Sequence, residues 1–273
     1  MDVSLLRFFG SIETALSLLS FYSSYRITWV IMQSKELRCA ASYQLMAYIA
    51  FMECWQMSGT LIGGIMMICQ DTFNDLLRDV SGSVMYISWT TLIVLRFCLA
   101  LNRFMVLTDF RILQKIKEQV VHRATMTLST VFLFFNIILY GVLGKSFFMA
   151  LELATWRFPR ESPSYLIERL CSFIVIPLTF MLYVVTSLYI LQMKKRANMK
   201  ANLNDVRILI SSATSFAYEM TTVIIAHCII PYVQVPLVWY PICTEIWTAL
   251  PLFNGLMLLL INRITNEKEA VNE

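Results

Sequence analysis

The sequence predicts an all-α membrane protein: a bundle of seven transmembrane helices with its N-terminus outside and its C-terminus in the cytoplasm. Three observations carry that expectation. The 273-residue chain is 58% hydrophobic and 15% charged, with a mean hydropathy of +0.65, whereas a soluble domain carries about 25% charged residues. Its apolar residues fall in runs of about twenty residues or longer, the length a helix needs to cross roughly 30 Å of hydrocarbon. Its basic residues gather on one side of those runs.

The runs lie at 8–32, 40–68, 82–107, 124–147, 169–193, 207–230 and 241–262, and together they make residues 1–273 a single domain. Backbone polar groups cannot stand bare in lipid, so each run is expected to be helical. The alternation that marks a membrane barrel is absent. Arg7 is the one basic residue ahead of the first run, and no small-residue cleavage site follows that run, so it reads as the first helix and not as a removable signal. The second run carries Glu53, the third carries Arg96 and ends in LALNRF at 99–104, and the fifth contains Pro177. The sixth carries Glu219 and His227, and the seventh Glu245 and Asn254. No internal repeat links these segments.

With the N-terminus outside, 14 of the 22 Lys and Arg fall on the cytoplasmic side, 6 on the outer side, and Arg26 and Arg96 within runs. This is the positive-inside pattern. The net charge of +4 is thereby explained by topology, and the short basic loops hold no nucleic-acid motif. The loops at Lys115 and Lys117 and at 194–207 could meet a partner or anionic lipid, or simply fix topology. The seven cysteines have no ligand spacing. Cys54 and Cys98 read as packing residues within runs. Cys39, near the cytoplasm, should stay reduced. Cys69, Cys171, Cys228 and Cys243 lie near outer ends, and spacing alone leaves a bridge among them open. No Ser/His pair, His-Glu metal motif or paired aspartates at helical spacing appears. His122 and His227, the two histidines, fall on opposite sides of the membrane. No enzyme activity, metal or cofactor is expected.

Ionisable residues inside the runs are costly, about 2.5–3.5 kcal/mol each at a helix centre, and so should be paired. Glu53 lies about 21 Å from the cytoplasmic side along its helix, Arg96 about 15 Å and Glu219 about 18 Å. An ion pair between Glu53 and Arg96 is expected, with Glu219 as competitor. The pair is either a fixed tie or a switch in which Arg96 exchanges carboxylates. Nearer the outer side, Tyr86 and Trp89 stand one turn apart on one face of the third helix. With His227, Tyr240, Glu245 and Trp247 they form a candidate pocket, mostly apolar with few polar groups, suited to a small organic ligand. The plain alternative is the aromatic belt of any membrane protein.

The dipeptide Asn102-Arg103 at the inner end of the third run, followed by Phe104, resembles the acidic-Arg-aromatic triplet of rhodopsin-like G-protein-coupled receptors. LALNRF is more specifically similar to the nematode serpentine chemoreceptors, Srt-like or Srx-like. SYQLMAYIAFMECWQM at 42–57, Gly82 and Trp89 ahead of LALNRF, Pro177, and NGLMLLLIN at 254–262 extend the likeness along most of the chain. There are departures. The outer cysteine near the third helix is missing, as are the Trp of the fourth helix and the Trp-x-Pro of the sixth. Gly255 stands for a proline and Leu258 for a tyrosine. The resemblance implies a chemosensory receptor of the plasma membrane, in a sensory-neuron cilium. It would take a small-molecule ligand in the outer half of the bundle. A heterotrimeric G protein would couple at Asn102, Arg103 and Phe104. Glu53, Arg96, Glu219 and Asn254 make up the candidate intramembrane polar network. The competing class is a small transporter or channel whose path is lined by the intramembrane charges.

Overall fold

The computed structural model describes residues 1–107, 118–143, 147–158, 162–197, 203–230, 233 and 236–257. The basic loop at Lys115 and Lys117, the side chain of His122, residues 198–202 of the loop before α8, and 258–262 lie outside the described residues. The chain is built almost wholly of helices: α1 (Val3–Gln33), α2 (Lys35–Cys39), α3 (Ala41–Cys69), α4 (Asp75–Leu107), α5 (Glu118–Leu143), α6 (Pro163–Leu170), α7 (Ile176–Ala197), α8 (Leu203–Ile224) and α9 (Trp239–Thr248). A further helical stretch runs over 250–257.

Local chemistry sets several boundaries. Ser34 interrupts α1, and its side-chain oxygen accepts from the Leu37 N–H at 3.4 Å to begin α2. The helix expected from 82 begins earlier, at Asp75, because the Asn74 side chain accepts from the Leu77 N–H at 2.6 Å and Asp75 places an acid in the first turn. The helix expected from 169 begins at Pro163, a residue that suits a first turn. It runs into α7 through a π turn at Cys171–Val175. Pro177 follows directly. It offers no N–H to the carbonyl four residues back, and the wider turn accommodates that loss. A second π turn, Ile225–Ile229, extends α8.

The helices bury polar side chains among apolar ones and turn apolar faces outward. On α1, Glu13, Ser17, Ser20 and Ser24 are fully buried, while Phe8, Leu18, Leu19, Tyr22 and Trp29 are exposed. Ser17 donates to the Thr60 hydroxyl at 2.8 Å, Ser20 to the Thr248 carbonyl at 3.2 Å and Ser24 to Glu53 at 2.9 Å. On α5, Val131, Phe134, Phe135 and Ile138 are exposed, and on α7 Met181, Val185, Leu188 and Leu191. In water such surfaces would drive association. In lipid they lie in their own solvent, and helices associate through close packing and hydrogen bonds. The crossing of α1 and α3 follows that rule: a Cβ on Gly64 would sit 2.9 Å from the Thr14 backbone nitrogen. Among the described residues, Val3–Gln33, Asp75–Val106 and Pro163–Gln192 are long and apolar enough to cross a membrane, and Arg123–Leu139 is a shorter apolar helix. The helix α3 is not among them, since Gln44, Glu53 and Gln56 dilute its apolar content. The chain is a membrane protein.

One feature departs from the all-helical expectation. Phe148–Ala150 (β1) and Thr155–Arg157 (β2) pair antiparallel, with Met149 opposite Trp156, around a short 3-10 turn at Leu151–Leu153. The strands are three residues each, too short to leave an alternating pattern. The hairpin lies against α4 at Gly82, where any Cβ would overlap the Phe147 carbonyl oxygen.

Candidate functional site

Two polar centres lie along α4, one above the other. The deeper is built on Arg96, 5% exposed. Its two terminal nitrogens reach different helices: Nη1 donates to Glu219 Oε1 on α8 at 2.7 Å, and Nη2 to Glu53 Oε1 on α3 at 3.0 Å. The expected Glu53–Arg96 pair forms, and Glu219, expected as its competitor, is held by Arg96 at the same time. A guanidinium permits this because its donors are spread in a rigid plane. Glu53 also accepts from Ser24 on α1 at 2.9 Å and from Asn254 Nδ2 at 3.4 Å. The centre therefore ties α1, α3, α4, α8 and the 250–257 stretch together. Removing one partner of such a buried pair costs about 3–5 kcal/mol, because the other charge is stranded.

The second centre is a cavity of about 700 Å³ at the hairpin end. Tyr86 and Trp89 of α4, Thr222 and Val223 of α8, and His227 of the second π turn line it. Tyr240, Cys243, Thr244 and Trp247 of α9 form another wall, and Trp156, Arg157 and Phe158 close over it from the hairpin. Trp89 and Trp247 meet edge to face, with centroids 5.2 Å apart, a favoured aromatic arrangement. Five of the six residues expected from sequence are thus brought together. Glu245 is not. The lining positions on α9 repeat at helical spacing, and Glu245 is turned about 100° from Thr244. It is buried, with neither carboxylate oxygen partnered among the described residues.

Sequence reasoning overlooked three residues here. Glu168, 2% exposed, lines the cavity. Its Oε1 accepts from Ser172 Oγ at 2.8 Å, lies 3.2 Å from His227 Nε2 and 3.4 Å from the Trp89 indole nitrogen. It falls one residue before the expected helix start at 169, and so passed as part of a loop. Ser172 stands one turn further along the same helical stretch, and the second π turn carries His227 to it from the end of α8. Glu13 is fully buried on α1 and accepts from the Trp156 indole at 3.3 Å. The stripe Glu13, Ser17, Ser20, Ser24 at helical spacing within an apolar run was the signal for it. Trp156 had no signal, since only the hairpin brings it over Gly63 of α3.

At the far end of α4, Asn102 is buried and donates to Ser42 Oγ on α3 at 2.9 Å, and Arg103 Nη2 lies 3.6 Å from the Met46 sulfur. Phe104 is half-buried beside them. Arg103 is about 21 Å along the helix from Trp89. A smaller cavity of about 100 Å³ touches Glu53, Arg96, Arg103, Glu219 and Asn254, so the deep centre and the Arg103 region share a void. All seven cysteines are free, including Cys69, Cys171, Cys228 and Cys243, so no outer bridge forms.

No protein-family model matches this chain, and no curated protein matches it. Its structure is similar to the crystal structure of squid rhodopsin, with a TM-score of 0.68 at 14% sequence identity, over 94% of this chain and 82% of that one. The chain has a rhodopsin-like fold.

Proposed function

We propose that this chain is a chemosensory G-protein-coupled receptor, a seven-helix bundle with its N-terminus outside the cell and its C-terminus in the cytoplasm. A small molecule binds in the cavity beneath the hairpin, and a heterotrimeric G protein is engaged from the Asn102-Arg103-Phe104 end. The observation that carries this reading is the use of α8 at both centres. Val223 and His227 wall the cavity, and Glu219, one turn from Val223, grips Arg96. A ligand that prefers one position of α8 would shift the grip on Arg96 and the small void leading to Arg103. That is a population shift with a stated structural element. The positive-inside count supports the orientation. LALNRF supports the nematode serpentine branch, and with it a plasma-membrane location in a sensory cilium.

The test is a ligand-evoked second-messenger response in a reporter cell. Arg103→Ala should abolish the response while surface level is unchanged. A response of normal size in that variant, or flux of the ligand across the membrane without any second messenger, would favour a transporter, in which the buried carboxylates line a path.

A further inference from the structure

Within the cavity the polar groups are unevenly used. The three donors around Glu168, from Ser172, His227 and Trp89, all converge on Oε1. Oε2 is buried and has no partner among the described residues. A carboxylate accepts at both oxygens, and a buried one is unfavourable unless its charge is matched. His227 does not reach Oε2, since its Nε2 is directed at Oε1 and its ring is packed edge-on against Phe173 at 5.9 Å. Among the described residues, the other charged side chain on the cavity wall is Arg157, which is exposed at the hairpin, where solvent screens it. The remaining wall is rich in rings, with Tyr86, Trp89, Phe158, Tyr165 and Trp247 among them. Aromatic faces attract a cation and hold a flat apolar body.

We propose that the cavity selects a small organic cation, an ammonium head on a compact aromatic or aliphatic body, and that Glu168 Oε2 is its counter-ion. This deepens the receptor reading and rests on it for the cavity being a ligand site. Oε2 is almost inaccessible in the empty cavity, so the Glu168 carboxylate turns to present it to the ammonium, and the body lies between the Trp89–Trp247 pair and the rings below the hairpin. The volume of about 700 Å³ accommodates such a molecule with room to spare.

The full chain, purified in lipid nanodiscs, is melted with benzylamine, 2-phenylethylamine and tryptamine, and with 2-phenylethanol and phenylacetate as neutral and anionic homologues. At least one amine should raise the melting temperature, with an affinity about tenfold or more above that of its alcohol homologue. Glu168→Gln should erase that preference. The comparison of amine with alcohol on the unaltered chain stands even if the variant does not fold. The proposal is overturned if no amine stabilises the chain, if alcohol or carboxylate stabilises it equally, or if Glu168→Gln retains the amine preference. Amine binding without any second-messenger response would leave the cation site standing and remove the receptor reading. A response evoked only by uncharged compounds would do the reverse.

Discussion

Arg96 and Glu219 are joined at 2.7 Å between α4 and α8, one helical turn from the point where Val223 of α8 meets the cavity. Between them and the cavity lies an apolar layer containing Trp89, Ile93, Ile176, Val223 and Leu250. Movement of α8 at the cavity must therefore be transmitted either through this layer or through the ion pair.

If the pair restrains α8, Glu219→Gln should raise ligand-free second-messenger output. Glutamine keeps the shape and one acceptor but gives up the charge-assisted bond, the stronger kind. Basal output normalised to surface level is the measurement, and an unchanged value would assign the pair a purely structural role.

Reversal of Arg96 and Glu53 together should fail to restore surface expression. Glu53 is only one of two carboxylates on Arg96, so a carboxylate at 96 would face Glu219. Arg96→Leu alone strands two buried acids and should cost about 3–5 kcal/mol. Arg96→Leu with Glu53→Gln and Glu219→Gln should recover much of the loss, because no unpaired charge remains. Surface expression of the three variants against the unaltered chain decides it, and full rescue by the simple reversal would contradict the three-way geometry.

Gly82→Ala should loosen the hairpin. The added methyl would overlap the Phe147 carbonyl, and overpacking of this kind costs about 1–3 kcal/mol. A lower melting temperature and faster proteolysis between 147 and 158 are expected. An unshifted melt would show that the hairpin can move aside freely.

A thiol titration of the denatured chain without reductant should count all seven cysteines. A count of five would place a disulfide in the folded protein. Reductant should likewise leave the melting temperature unshifted, since no covalent closure of the chain is available to lose.

Much of the deep centre was legible in the sequence because a charge in an apolar run must find a partner, and distance along a helix limits which one. Glu53, Arg96 and Glu219 follow from that rule. That Arg96 serves both acids does not, since spacing gives depth along a helix and not the direction in which a side chain faces. Glu245 shows the same limit: its depth matched the cavity, but its angle on α9 turns it away. Glu168 was missed because the helix inferred from hydropathy starts one residue too late to include it.

What the sequence determined alone is the solvent and the material: a chain 58% hydrophobic, arranged in long runs, can satisfy its backbone in lipid only as helices. The rotation of each helix, the two π turns and the three-residue strands of the hairpin were settled by packing. These depend on which small residues let backbones approach, as at Gly64 and Gly82, and on hydrogen bonds between residues far apart in the chain, such as Trp156 with Glu13. Such contacts leave no periodic trace, because each is made once, between elements whose order in space the linear pattern does not contain.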